Sequence, residues 1–204
     1  MAKAEWRTAI PVRYYCPLLL TALCVLAGLL PDTVVELLQY RRSEIQAGEW
    51  WRIFSGHLVH LSWSHLAMNL LGLWLICQLF PGRRPATIHC LYRLPLLAVG
   101  TSLGLLFWSP EISWYRGLSG LLHGLLVLVL LQHRQRQPRV DTLLLSLLAA
   151  KLAWEQVVGA LPGSEGWTGG AVVVDAHLYG ALSGVILWAF EKSYRLLTHR
   201  EVIE

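Results

Sequence analysis

Long stretches of this 204-residue chain contain almost no charged residues, and this segregation limits its possible folds more than any other feature. Charged residues make up 15% of the chain, whereas about a quarter is typical of soluble domains. A helix needs about 20 mostly apolar residues to cross the hydrocarbon core of a membrane. We therefore expect an all-α polytopic membrane protein, a bundle of six transmembrane helices forming a single domain over residues 1–204. The expected spans are about 13–31, 57–80, 90–108, 117–133, 141–160 and 171–190.

Basic residues are distributed unequally between the expected loops, and their distribution predicts the orientation of the chain. Because cytoplasmic loops are enriched in Lys and Arg, we expect both termini in the cytoplasm. The net charge of +4 has the same origin, and no basic run with interleaved aromatic residues indicates a nucleic-acid partner. The side of the termini carries Lys3, Arg7, Arg13, Arg83, Arg84, Arg93, Arg134, Arg136, Arg139, Lys192, Arg195 and Arg200, and the other side carries Arg41, Arg42, Arg52 and Arg116.

Four polar residues in the even-numbered spans are expected at similar depths in the outer half of the bilayer. His65 and Asn69 lie in the second span, Ser119 lies near the start of the fourth, and His177 lies early in the sixth. At 1.5 Å per residue, each lies roughly 5–20 Å below the outer surface. Polar groups inside a membrane face other helices or a wet cavity, because lipid offers them no partners. The sequence therefore predicts one polar site built by three helices.

The surroundings of Ser119 are those of a candidate nucleophile. It lies in Gly117-Leu-Ser-Gly120 at a helix start, where backbone N–H groups lack helical partners and favour negative charge. Gly117 permits an unusual backbone turn before this helix. His65 and Asn69 are spaced i, i+4, so both can donate to a developing anion from the same side.

Glycine pairs follow the candidate serine and the candidate histidine on their two helices. Gly120 and Gly124 follow the serine, whereas Gly180 and Gly184 follow His177 at positions +3 and +7. Small residues at these spacings let two helices approach closely. We expect the hydroxyl and the imidazole to come within hydrogen-bond reach, as a Ser–His dyad requires.

Each of these patterns also has an ordinary structural interpretation. Small residues are common where membrane helices meet, and an HxxxN pair can form interhelical hydrogen bonds. A histidine-lined carrier of metal or haem is an alternative function, although no HExxH or metal-cage spacing occurs. The four cysteines have no CxxC spacing either, so we expect no metal and no cofactor. The histidines that such a carrier would use are His57, His60, His65, His123 and His177.

Four short motifs, in matching order, resemble those of the rhomboid intramembrane serine proteases. The resemblance implies a rhomboid-like fold with Ser119 as nucleophile, His177 as general base and no catalytic acid. It also implies an oxyanion hole formed by the Ser119 backbone N–H, His65 and Asn69. The motifs are Trp51-Arg52, His65-Leu-Ala-Met-Asn69, Gly117-Leu-Ser-Gly120 and Ala176-His177-Leu-Tyr-Gly180. The residues expected to support the site are Trp51, Arg52, Gly117, Gly120, His123, Gly180 and Gly184.

His123 departs from the pattern of many rhomboids, which have Tyr four residues after the serine. We expect its ring to stack on His177 or to hydrogen-bond to it. This variant in a compact chain looks like the rhombosortase branch, which is thought to process bacterial surface or secreted proteins. That resemblance implies membrane-anchored substrates with C-terminal Gly-Gly-type tails. It also implies a bacterial inner membrane protein whose site opens to the periplasmic face, with hydrolysis or acyl transfer as the reaction.

Two alternative functions are compatible with the same motifs. The chain could be a general rhomboid protease of other single-span substrates, or a non-catalytic rhomboid-like protein that binds membrane clients. Lys151 and Glu155 are spaced i, i+4 in the fifth span and are interpreted as a structural pair that neutralises itself, with substrate contact as the alternative. Asp175 lies two residues before His177, which directs the two side chains apart on a helix, so it is not assigned as a catalytic acid.

Overall fold

The computed structural model describes residues 14–79, 86–134 and 136–200, which are mostly helical. The short elements are α2 (Asp32–Leu38), β1 (Tyr40–Arg41), α3 (Arg42–Gln46), α4 (Arg52–Ser55), β2 (Trp114–Tyr115) and α9 (Ser164–Thr168). The long helices are α1 (Tyr15–Gly28), α5 (Trp63–Leu79), α6 (Ala86–Trp108), α7 (Ser119–His133), α8 (Pro138–Val157) and α10 (Val174–Arg200).

Each of the six expected spans overlaps one long helix. Among the described residues, α6 is the one helix that is long and apolar enough to cross a membrane, over Leu91–Trp108. Tyr15–Gly28 and Ser119–His133 are apolar but shorter. The helical class is therefore observed, while the number of crossings stays a prediction. Lys3, Arg7, Arg13, Arg83 and Arg84 lie outside the described residues, so the predicted orientation also rests on sequence alone.

Helix α5 begins six residues later than the expected span at 57. Ser62 ends the preceding loop, because its hydroxyl accepts the His65 backbone N–H at 3.1 Å and its carbonyl accepts the Leu66 N–H at 3.0 Å. A side-chain oxygen in this position is a typical N-cap. Residues 57–62 are thus loop, and the helix within the expected span begins after this capped turn.

Helices α7 and α10 form the closest helix pair around the site. A Cβ atom built on Gly180 would overlap the Gly120 carbonyl, and one built on Gly184 would overlap the Gly124 carbonyl. Backbone therefore meets backbone along this seam, so the predicted close approach of the two glycine faces is confirmed. The surrounding core is made of Leu66, Leu73, Leu97, Leu121, Leu125 and Leu128.

The segment between α1 and α5 is fixed against the chain that leads into α7. Strands β1 and β2 pair antiparallel, with Tyr40 opposite Tyr115. Arg52 is buried and donates to the Glu36 carbonyl at 2.8 Å and the Gln39 carbonyl at 2.9 Å. Its side chain thus satisfies carbonyls that the folded loop would otherwise leave unpaired. These contacts set the position of the turn before Ser119.

A buried carboxylate joins three helices at the opposite end of the bundle. Glu191 on α10 pairs with Arg93 on α6 at 2.7 Å and accepts hydrogen bonds from Tyr92 at 2.8 Å and Gln132 at 2.7 Å. Arg195 adds a contact at 3.1 Å. The charge is therefore compensated near the start of α6 and the end of α7.

Candidate active site

Ser119 and His177 lie within hydrogen-bond distance of each other. Ser119 is the first residue of α7, and His177 lies in the first turn of α10. The serine Oγ is 3.0 Å from the imidazole Nε2. His177 is buried and Ser119 is half-buried, so the pair lies at the edge of the protein interior. The close glycine contact between their helices makes this distance possible.

The turn before Ser119 depends on Gly117. Its φ is +131°, a conformation that residues with a side chain rarely adopt. Its N–H donates to the Gly56 carbonyl at 3.0 Å, and its carbonyl accepts the Tyr115 hydroxyl at 2.5 Å. The Tyr115 oxygen also accepts the Gly120 N–H at 3.3 Å. The start of α7 is consequently held from both sides.

His65 and Asn69 present two donors to the space beside this turn. A Cβ atom on Gly117 would lie 2.9 Å from His65 Nε2 and 3.7 Å from Asn69 Nδ2. The Leu61 N–H lies 3.5 Å from His65 Nδ1, an arrangement that favours the proton on Nε2. Asn69 Nδ2 is buried and has no hydrogen-bond partner among the described residues. A buried amide that lacks a partner here is suited to receive an anionic oxygen.

His123 stacks on His177, one of the two arrangements expected for it. The ring centroids are 4.2 Å apart and the planes differ by 17°. Its Nδ1 lies 2.7 Å from the Ser119 carbonyl, and its Nε2 lies 2.9 Å from Lys151 Nζ. The His123 ring therefore connects the backbone of Ser119 to a cation on α8.

Glu155 contacts His177, which the sequence interpretation did not foresee. The expected pair with Lys151 forms at 2.7 Å, but the same carboxylate lies 3.0 and 3.1 Å from His177 Nδ1. The predicted ion pair is therefore confirmed, and its carboxylate also reaches the candidate general base. Depth supplied a usable signal: α7 and α8 are consecutive helices, so Glu155 near the end of α8 lies at the level of Ser119 at the start of α7. The predicted polar site took its residues from the even-numbered spans alone, and Glu155 lies in the fifth span.

Other candidate residues lie outside this cluster. His57 is buried, with Nε2 3.0 Å from Ser102 Oγ and 3.2 Å from the Ala98 carbonyl, so it supports packing. Asp175 accepts a hydrogen bond from Ser109, away from His177. Trp51 is exposed and donates from Nε1 to the Leu37 carbonyl at 3.3 Å, within the loop that Arg52 organises.

A cavity of about 280 Å³ adjoins the Ser119 hydroxyl. Its lining combines polar and charged side chains with apolar ones. Such a mixed lining suits a peptide segment whose backbone needs hydrogen bonds and whose side chains are apolar or absent. The polar and charged residues of the lining include His65, Asn69, Arg116, His123, Lys151, Glu155, Ser164, Thr168 and His177, and the apolar residues include Leu61, Met68, Leu161, Val172 and Val173.

The comparison with protein families covers all of these residues. A family model described as the Rhomboid domain matches residues 47–193, which is most of the chain. No curated protein matches this sequence. The matched range extends from before Trp51 to beyond Gly184, so it includes every predicted site residue.

Proposed function

The chain belongs to the rhomboid family, whose members are integral membrane proteins and generally intramembrane serine proteases, and we propose that it is an intramembrane serine endopeptidase. Ser119 is the nucleophile and His177 is the general base. The observation that carries this proposal is the 3.0 Å contact between Ser119 Oγ and His177 Nε2 at the wall of a cavity lined by both polar and apolar side chains.

The reaction proceeds through an acyl-enzyme. Ser119 Oγ bonds to the scissile carbonyl carbon while its proton moves to His177 Nε2. The C–N bond then breaks, and the same proton leaves with the amine. Water repeats the sequence on the ester, with His177 again taking and returning a proton. If another amine replaces water, the product is a new amide, and the analysis of products distinguishes the two routes.

Three donors hold the oxyanion of the tetrahedral intermediate. They are the Ser119 backbone N–H, His65 Nε2 and Asn69 Nδ2. The dipole of α7, whose positive end lies at Ser119, adds to their effect. The unpartnered amide of Asn69 supports this assignment, because a preorganised donor needs no rearrangement when charge develops.

Helices α1, α5, α6, α7, α8 and α10 form six crossings of a single domain, with both termini in the cytoplasm. The site then opens to the periplasmic face of a bacterial inner membrane. Exposed tryptophans at the ends of helices on that side support this arrangement, since they are typical of the membrane–water boundary. They are Trp50, Trp63, Trp108, Trp114 and Trp167.

The substrates are membrane-anchored proteins with Gly-Gly-type C-terminal tails, as in rhombosortases. His123 in the position where many rhomboids have Tyr supports this branch. Glycine is also a poor helix former, so a tail helix unwinds most easily at a Gly-Gly segment. A segment without side chains fits beside Ser119 in the small cavity.

Co-expression with a Gly-Gly-tailed protein tests the proposal. We expect the wild type to remove the tail, and Ser119→Ala and His177→Ala to leave it intact. Ser146→Ala, at an exposed position of α8, is a matched serine control that should remain active. Equal processing by all variants contradicts the dyad. Processing that persists when Gly-Gly is replaced by Leu-Leu contradicts the rhombosortase assignment and favours a general rhomboid protease.

Covalent labelling separates the protease from the non-enzymatic alternatives. A fluorophosphonate should label the wild type at Ser119 and not the Ser119→Ala variant. The ligand atoms of His123, Glu155 and His177 lie within 4.8 Å of one another, a spacing that could hold a metal. The Lys151 ammonium contacts all three of these residues and would repel a cation. Stoichiometric metal in purified protein together with no labelling would favour the carrier.

A further inference from the structure

The contacts around His177 involve both of its ring nitrogens. Nε2 faces the Ser119 hydroxyl at 3.0 Å, and Nδ1 faces both carboxylate oxygens of Glu155 at 3.0 and 3.1 Å. A carboxylate accepts hydrogen bonds and has no proton to donate. Nδ1 therefore carries the proton, which leaves Nε2 free to accept the serine proton. This is the tautomer that a general base in this position needs.

Lys151 keeps Glu155 in its charged and oriented state. Its ammonium lies 2.7 Å from Glu155 Oε1, while Oε2 makes the 3.0 Å contact to His177. The Glu155 side chain is only 2% exposed, so an uncompensated charge there would be costly. The lysine also donates to His123 Nε2 at 2.9 Å. That contact leaves the His123 proton on Nδ1, where it reaches the Ser119 carbonyl at 2.7 Å.

These hydrogen bonds are mutually consistent. Lys151 donates to Glu155 and His123, His177 donates to Glu155, and Ser119 donates to His177. Lys151 Nζ also lies 3.4 Å from His177 Nδ1, but the contacts of Nδ1 to Glu155 are shorter, at 3.0 and 3.1 Å, so Nδ1 donates to the carboxylate. The arrangement couples α8 to both helices that carry the dyad.

We propose that Glu155 is a positioning residue that holds His177 in the Nδ1–H tautomer and stabilises the imidazolium formed during catalysis, with Lys151 orienting the carboxylate. The inference rests on the proposed function and extends its dyad to a Ser–His–Glu triad. Glu155 accepts a hydrogen bond in this triad and takes up no proton. Among the described residues, the carboxylate hydrogen-bonds to His177 and Lys151 and not to Ser119. Its effect on the reaction therefore passes through His177.

Glu155→Gln tests this role by reversing the hydrogen bond. Lys151 can donate only to the amide oxygen, which orients the amide NH₂ toward His177. Nδ1 must then accept, so the proton moves to Nε2 and the base can no longer take the proton of Ser119. We expect kcat to fall about 10²- to 10⁴-fold with KM within about threefold. Glu155→Asp retains the charge and should recover part of the activity.

The tautomer can be observed without turnover. Nitrogen-15 spectra of histidine-labelled protein, with His177 assigned by its absence in His177→Ala, should show a protonated Nδ1 in the wild type and a protonated Nε2 in Glu155→Gln. Glu191→Gln is the matched control, because it removes another buried and paired carboxylate far from Ser119. It should lower thermal stability and leave both kcat per folded molecule and the His177 spectrum unchanged.

Two results overturn the inference: an unchanged His177 tautomer in Glu155→Gln, or a kcat within about threefold of the wild type. Activity is compared only for samples that elute as a single symmetric peak, so misfolding does not imitate the result. Ser119→Ala is measured in parallel. If that variant processes substrate like the wild type, the proposed function fails, whereas an inactive Ser119→Ala with an active Glu155→Gln refutes the role of Glu155 alone.

Discussion

The carbonyl of Gly120 on α7 occupies the space that a side chain on Gly180 of α10 would need. This relationship fixes how closely the two helices pack and, through them, how far Ser119 lies from His177. The distance between the two reacting side chains therefore depends on the lack of a side chain at Gly180, three residues after His177.

Gly180→Ala should separate the two helices and abolish most activity. The added methyl group would overlap backbone, which has no rotamer through which to yield. Overpacking of this kind costs about 1–3 kcal/mol. Thermal unfolding and tail cleavage measure the two effects. Gly166→Ala is the control, because a Cβ atom there meets nothing within 4 Å, and it should change neither quantity. If Gly180→Ala had wild-type activity, the close contact of α7 with α10 would not determine the distance between Ser119 and His177.

Gly117→Ala should lower kcat by displacing a donor of the oxyanion hole. A Cβ atom at this position would lie 2.7 Å from His65 Cε1, and the φ of +131° adds backbone strain. Gly159→Ala isolates the strain, since its φ is +103° and nothing lies within 4 Å of the added atom. We expect both variants to lose about 1–3 kcal/mol of stability, with a large loss of kcat only at Gly117. If Gly117→Ala and Gly159→Ala had comparable kcat values, His65 would have no role in catalysis.

Asn69→Ala should affect catalysis without affecting stability. Loss of one oxyanion donor lowers kcat by about 10²- to 10³-fold. Asn69 Nδ2 has no hydrogen-bond partner among the described residues, so its removal leaves no acceptor there unpaired, and the free energy of unfolding should hold or rise. KM, kcat and the unfolding midpoint would be measured together.

Ser102→Ala should affect stability without affecting catalysis. The Ser102 hydroxyl donates to the Ile53 carbonyl at 2.8 Å and contacts His57 at 3.0 Å, so its removal leaves buried partners unsatisfied. We expect a loss of about 1–3 kcal/mol and an unchanged kcat. If Asn69→Ala destabilised the protein as much as Ser102→Ala, Asn69 would be a structural residue.

Arg52→Ala should destabilise the first loop. Its guanidinium is buried and binds two carbonyls and Glu49, and hydrogen bonds to charged groups are worth about 1.5–3 kcal/mol each. A lower unfolding midpoint and faster proteolysis of residues 39–62 are expected. Arg134→Ala, at an exposed position, should leave both unchanged. An unchanged midpoint in Arg52→Ala would show that the loop folds without this side chain.

Local features of the sequence identify most of the parts of this protein. The apolar segments predict the long helices because a helix satisfies its own backbone hydrogen bonds, a property that depends only on neighbouring residues. The glycine spacings predict the α7–α10 contact for a similar reason, since residues at i and i+4 share one helix face. The resemblance of four motifs to rhomboids predicts the family that the match over residues 47–193 bears out.

Contacts between helices were decided by the tertiary structure. Glu155 meets His177 because α8 has a particular rotation and height against α10, and neither is encoded in the i, i+4 spacing from Lys151. Likewise, Ser62 begins α5 through a cap that the apolar pattern conceals, and His57 is turned toward Ser102 and away from the cavity. Helix formation is a local property of the chain, whereas the direction of a side chain across a bundle depends on how all the helices pack together.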